Sequence, residues 1–168
     1  MTGRRRAQWK FSGGGDEIFC RNRLANRRAR VSIPIAMVMR LATSGHNGGS
    51  PTTIFVVDDE PALLELAAII LQPLGFDVRT FIDPKQALVE YPAAKPAVLV
   101  TDYAMGGMNG LDLVRECRLV NPRQKAILVS GTVDADIFAN AQTKPDCFLS
   151  KPYKIHDFIE SIETLAKA

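Results

Sequence analysis

From Thr52 onward the chain alternates short apolar runs with stretches whose apolar residues recur at helical spacing. Thr53-Ile54-Phe55-Val56-Val57 runs into Asp58-Asp59, Ala97-Val98-Leu99-Val100-Thr101 into Asp102, Ala126-Ile127-Leu128-Val129 into Ser130, and Cys147-Phe148-Leu149-Ser150 into Lys151. Continuous β-branched and apolar runs of this length read as strands covered on both faces. Phe76 to Phe81 alternates and reads as a further strand.

Helices fill the intervals. Pro61 occupies a first helical position behind acidic residues, and Leu63, Leu66, Ala67, Ile70 and Leu74 follow at helical spacing until Gly75 closes the element. Asp83-Pro84 caps a short helix ending near Tyr91-Pro92. Asn109 to Asn121 forms a third with Leu111, Val114 and Cys117 inward, stopped by Pro122, and Val133 to Ala141 a short fourth. Ile155, Phe158, Ile159, Ile162 and Leu165 make the apolar face of the last helix.

Five strand-helix units predict a (βα)5 chain, and right-handed crossovers turn it into an α/β doubly wound parallel sheet with helices on both faces. In such a sheet the carboxyl ends of the strands share one edge. Asp58, Asp59, Asp102, Ser130 and Lys151 are therefore expected in one crevice, although tens of residues separate them in sequence.

Composition divides the chain in two. Residues 1–50 hold 10 Lys and Arg against 2 acidic residues, net +8, whereas residues 51–168 hold 11 against 16, net −5. The first part has Arg4-Arg5-Arg6, a second basic cluster from Arg21 to Arg30, Gly13-Gly14-Gly15 and no sustained apolar period. Such a stretch buries too little surface to offset its ordering entropy, so residues 1–51 are expected to be a disordered basic extension ending in a linker from Ser44. A true start at Met37 or Met39, with 1–36 as translated upstream sequence, fits this composition. Residues 52–168 form the folded domain. Cys20, Cys117 and Cys147 form no close pair and no CxxC, which points to a reducing cytoplasm. No apolar run approaches the ~20 residues that span a bilayer, so no membrane partner is expected.

Taken singly, each polar group has a plainer reading: an acidic cap before Pro61, a turn aspartate, a strand end and a solvated lysine. Their shared edge makes them one site. Three crowded carboxylates repel one another unless a cation is present, and oxygen ligands with no His or Cys nearby favour Mg²⁺. A carboxylate can attack phosphorus and form an acyl phosphate, while a metal ion and a lysine neutralise the transferring group.

Val56-Val57-Asp58-Asp59-Glu60, Asp102-Tyr103-Ala104-Met105, Met108-Asn109-Gly110, Val129-Ser130-Gly131-Thr132 and Ser150-Lys151-Pro152 resemble the receiver domain of two-component response regulators, in particular its single-domain type. The resemblance implies a flavodoxin-like fold and phosphorylation of Asp102 by a sensor histidine kinase or histidine phosphotransfer protein. It makes Asp59 a direct Mg²⁺ ligand, Asp58 a mostly water-mediated one, and the Ala104 carbonyl a third protein contact beside Asp102. Ser130 and Lys151 become phosphate contacts, and Phe148 the aromatic switch. A downstream protein would then bind the face made by the fourth helix, fifth strand and last helix. Gly106 stands where the family usually has Pro, and Ala104 offers no side chain to position a hydrolytic water. With no sequence left after the last helix for an output domain, the resemblance implies action by contact or as a relay intermediate, in the cytoplasm and not as an enzyme.

Two other readings compete. A nucleic-acid-binding regulator could use the Arg-rich extension as its arm, with Trp9 and Phe11 stacking on bases, but no folded reading motif accompanies them and nucleic acid is not expected as a partner. An Asp-nucleophile phosphatase would need a second Asp two residues after Asp102, where Ala104 stands.

Overall fold

The computed structural model describes residues 51–131 and 143–168. The basic extension and the helix expected over 133–141 lie outside the described residues. In chain order the elements are β1 (Thr53–Val57), α1 (Pro61–Leu71), a 3₁₀ turn (Gln72–Leu74), β2 (Asp77–Phe81), α2 (Pro84–Ala94), β3 (Val98–Asp102), α3 (Gly110–Val120), β4 (Lys125–Ser130), β5 (Cys147–Ser150) and α4 (Ile155–Ala166). All strand pairs are parallel and the order is β2-β1-β3-β4-β5. This is the expected doubly wound, flavodoxin-like sheet.

Side chains alternate across the strands and build two cores. Ile54, Val56, Val98, Val100, Ile127 and Val129 meet α1 and α4 on one face, where Leu64, Leu71, Phe158 and Ile162 are buried. Phe55, Val57, Leu99 and Ala126 meet α2 and α3 on the other, around Tyr91, Leu113, Val114 and Cys117. Central strands sandwiched in this way must be apolar throughout, which is why the runs read so clearly.

Helix ends follow local chemistry. Asp83 caps α2 by accepting from the Lys85 N–H at 2.9 Å, and Asn109 caps α3 by accepting from the Asp112 N–H at 2.9 Å. Gly75 takes the left-handed conformation (φ 88°) that ends the first helical segment.

Four expectations shift. The α2 helix continues past Pro92 to Ala94, because a proline in the last turn forfeits only one bond and the Lys95 N–H still closes the helix on the Tyr91 carbonyl at 2.9 Å. The inward face of α1 is Leu64, Ala67 and Leu71, with Leu66 43% exposed. At the start of α4, Ile155 faces solvent, and in α3 Leu113 is buried while Leu111 is only half-buried.

Candidate functional site

Strand ends deliver the chemistry. Asp58 follows β1, with its N–H donated to the Phe81 carbonyl at the end of β2. Asp102 is the last residue of β3, Ser130 the last of β4, and Lys151 follows β5 with its N–H donated to the Ser130 carbonyl at 2.7 Å. The crevice lies where chain connections from β1 and β3 diverge to opposite faces, the place where doubly wound sheets bind ligands.

Two carboxylates and one ammonium meet there. Lys151 Nζ lies 2.7 Å from Asp102 Oδ1 and 2.9 Å from Asp58 Oδ2, with both aspartates 6% exposed. The remaining oxygens take backbone donors: Asp58 Oδ1 accepts from the Glu60 N–H at 2.9 Å, and Asp102 Oδ2 from the Ala104 N–H at 2.6 Å. Burial disfavours charge on Lys151, but the hydrogen bonds and charges of Asp102 and Asp58 more than offset it, and its pKa is raised.

Close packing aims Asp102. The buried Thr101 hydroxyl donates to the Asp102 carbonyl at 3.0 Å, and the Tyr103 N–H donates to the Val129 carbonyl at 2.8 Å. Gly110, which opens α3, lies against the Asp102 carbonyl so closely that a Cβ would collide with that oxygen. Gly in the Asn109-Gly110 pair is thus required by the approach of helix to strand.

Asp59 is solvent-exposed beside this group, and Ala104 is exposed two residues after Asp102. Among the described residues no three acidic, His or Cys side chains converge on one point. Lys151 draws Asp58 and Asp102 to itself, leaving Asp59 outside the trio. Ser130 is buried at the adjacent strand end, and Phe148 is half-buried on β5, on the side opposite Cys147 and Leu149.

The donor set suits a hard cation. The Asp58–Lys151–Asp102 trio carries one more acidic than basic group, and the exposed Asp59 next to it in sequence adds a third carboxylate at its border. Among the described residues each oxygen of Asp58 and Asp102 has one partner, where an ionised oxygen accepts about two. Mg²⁺ binds through one or two carboxylates and keeps several waters, so it needs no preformed cage.

Residues 54–163 match the family model of the response regulator receiver domain. The chain belongs to that family. Among curated relatives, this receiver is 31% identical over 121 residues to the probable transcriptional regulatory protein TcrX of Mycobacterium tuberculosis, covering 71% of this chain and 51% of TcrX. It is 30% identical over 109 residues to the DNA-binding response regulator MtrA of Mycolicibacterium smegmatis, covering 65% and 48%. The chain thus spans about half the length of the curated relatives it matches. Among solved structures, a response regulator receiver domain protein from Clostridium thermocellum superposes with a TM-score of 0.63 at 26% identity, over 69% of this chain and 94% of that one. The receiver domain of the sensor histidine kinase PA1611 from Pseudomonas aeruginosa, with a magnesium ion coordinated in its active-site cleft, gives 0.63 at 20% identity, over 70% and 99%, a likeness of fold.

Tyr153 also belongs to the site, although no motif in the sequence singles it out. Its ring lines the small cavity beneath the site together with Asp58 and Asp102. The available signal was an aromatic residue two positions after Lys151. No helix among the described residues is long and apolar enough to cross a membrane.

Proposed function

We propose that this receiver accepts a phosphoryl group on Asp102 from a phosphohistidine of a sensor histidine kinase or histidine phosphotransfer protein. An Asp102 carboxylate oxygen attacks phosphorus; the O–P bond forms as the P–N bond breaks, and the imidazole nitrogen keeps the electron pair and takes up a proton. Lys151 balances the charge of the arriving group, and the Ser130 hydroxyl donates to a phosphoryl oxygen. Asp58, Asp59, Asp102 and the Ala104 carbonyl would hold Mg²⁺, which supplies charge neutralisation when bound. The observation carrying this reading is the buried Asp58–Lys151–Asp102 trio at 2.9 and 2.7 Å.

The product is a signal carried by residues 52–168. Ser130 moves toward the phosphate, Phe148 turns inward, and a partner reads the face that includes β5 and α4, as a population shift between two states. The domain acts as a phosphoacceptor, with only its own phosphorylation and dephosphorylation as chemistry. The names of TcrX and MtrA favour a transcriptional output downstream of such a switch.

The test is labelling by acetyl phosphate with and without Mg²⁺. Wild type should label in an Mg²⁺-dependent way and Asp102→Asn should not. Label that persists undiminished in Asp102→Asn would sink the proposal.

A further inference from the structure

We propose that Tyr153 is a positioning residue for Lys151: its ring, stacked on Phe158, holds the loop between β5 and α4 so that the ammonium spans Asp58 and Asp102. The inference rests on reading Asp102 as the acceptor and deepens it by naming what keeps Lys151 in place.

The loop is short and pinned at both ends. Its start is tied by the Lys151 N–H on the Ser130 carbonyl at 2.7 Å, and its end by the Lys154 carbonyl, which accepts from the N–H groups of Asp157 and Phe158 at 3.1 and 3.2 Å. Of the loop residues Pro152, Tyr153 and Lys154, only Tyr153 is half-buried, the other two being exposed. Its ring stacks on Phe158 with centroids 5.4 Å apart and planes 23° apart. Phe158 is 2% exposed within the α1-side core, against which Tyr153 also packs. Tyr153 therefore connects the loop to the rigid body of the domain.

The same ring borders the acidic group, lining one small cavity with Asp58, Asp102 and Val129. A lysine has four flexible carbons and much rotamer entropy to lose, so a bridging pose is held only where its backbone is fixed and its surroundings are walled. Pro152 and Lys154 are exposed and cannot do this. The stack on Phe158 belongs to the ring and not to the hydroxyl, so Phe should serve where Leu or Ala does not.

The experiment measures the rate at which acetyl phosphate labels Asp102, the O–P bond forming as acetate leaves, in the full chain with Mg²⁺. Tyr153→Phe, Tyr153→Leu and Tyr153→Ala are each made with Lys151 present and in a Lys151→Ala background, and thermal melts show which variants fold. With Lys151 present, Tyr153→Phe should label at the wild-type rate, and Tyr153→Leu and Tyr153→Ala at least about tenfold more slowly, as a displaced catalytic group does. In the Lys151→Ala background all should label alike, because Tyr153 acts through Lys151. Equal slowing in both backgrounds would show a general loss of structure and overturn the proposal, as would wild-type labelling by Tyr153→Leu. Should Tyr153→Ala not fold, Tyr153→Leu decides. A wild-type chain that does not label, or an Asp102→Asn chain that does, would instead refute Asp102 as acceptor.

Discussion

Replacing Gly110 by Ala tests whether the first residue of α3 is fixed by its contact with the end of β3. The added methyl would collide with the Asp102 carbonyl oxygen, 3.1 Å from its carbon, and lie 2.7 Å from Cδ1 of the fully buried Leu128. Neither neighbour can rotate aside, because one is strand backbone and the other is packed in the sheet. Separation of helix and strand costs about 1–3 kcal/mol, as overpacking does. It also strains the Gly110 N–H bond to the Tyr103 carbonyl, 3.1 Å long, which contributes ~1 kcal/mol. Alanine returns at most ~1 kcal/mol through helix propensity. The net loss is about 1–3 kcal/mol, which for a domain of this size lowers Tm by roughly 4–12 °C. Circular dichroism melts at neutral pH measure it, and labelling should slow too because the displaced carbonyl belongs to Asp102. A Gly110→Ala chain as stable as wild type would refute the contact argument.

Other expectations follow from the same geometry. Lys151→Ala leaves two buried carboxylates without their cation and should lose about 3–5 kcal/mol in urea melts, partly regained in Lys151→Ala/Asp58→Asn; an undiminished midpoint would contradict the trio's role. Since the folded pKa of Lys151 is raised, its contribution is complete below the ordinary lysine value of about 10.4 and fades only as pH rises through the higher folded value, so Lys151 predicts no loss of stability on raising the pH from neutral to about 9. Mg²⁺ should bind more weakly to Asp59→Ala than to Asp58→Ala, read from the Tyr103 amide shift, and equal affinity in wild type and Asp59→Ala would count against Asp59 as a ligand. Burial, with Glu116 adding to it, pushes the Cys117 thiol up to about 12, so a thiol reagent at neutral pH should modify Cys117 only when urea unfolds the chain.

The central strands were legible because burial on both faces leaves them no polar alternation, and the site because parallel strand ends must share an edge. Helix faces were less so. In α1, Glu65 is the only charged residue; it marks Ile69, four residues on and 61% exposed, as solvent-facing, but nothing in the pattern separates Leu66, which is 43% exposed, from the inward face. Pro92 looked like a stop because a proline's position within a helix decides its cost. At the edge away from the site, Arg118 donates to the Gln124 and Lys144 carbonyls and to Asp146, and the Tyr91 hydroxyl donates to Gln124 at 2.6 Å. Those partners depend on strand register, which spacing does not encode. Asp58, Asp102 and Lys151 could be grouped from topology alone, whereas the exposure of Asp59 and the stack beneath Tyr153 depend on side-chain packing.

Trapping the phosphorylated residue tests the central claim most directly. An acyl phosphate on an aspartate is reduced by borohydride to homoserine, whereas a phosphoserine is not. Full-length protein treated with acetyl phosphate and Mg²⁺, reduced and analysed by peptide mass spectrometry, should carry homoserine at position 102 and none at 58 or 59. Homoserine at another position with Asp102 unchanged, or acid-stable phosphate on Ser130, would contradict the account.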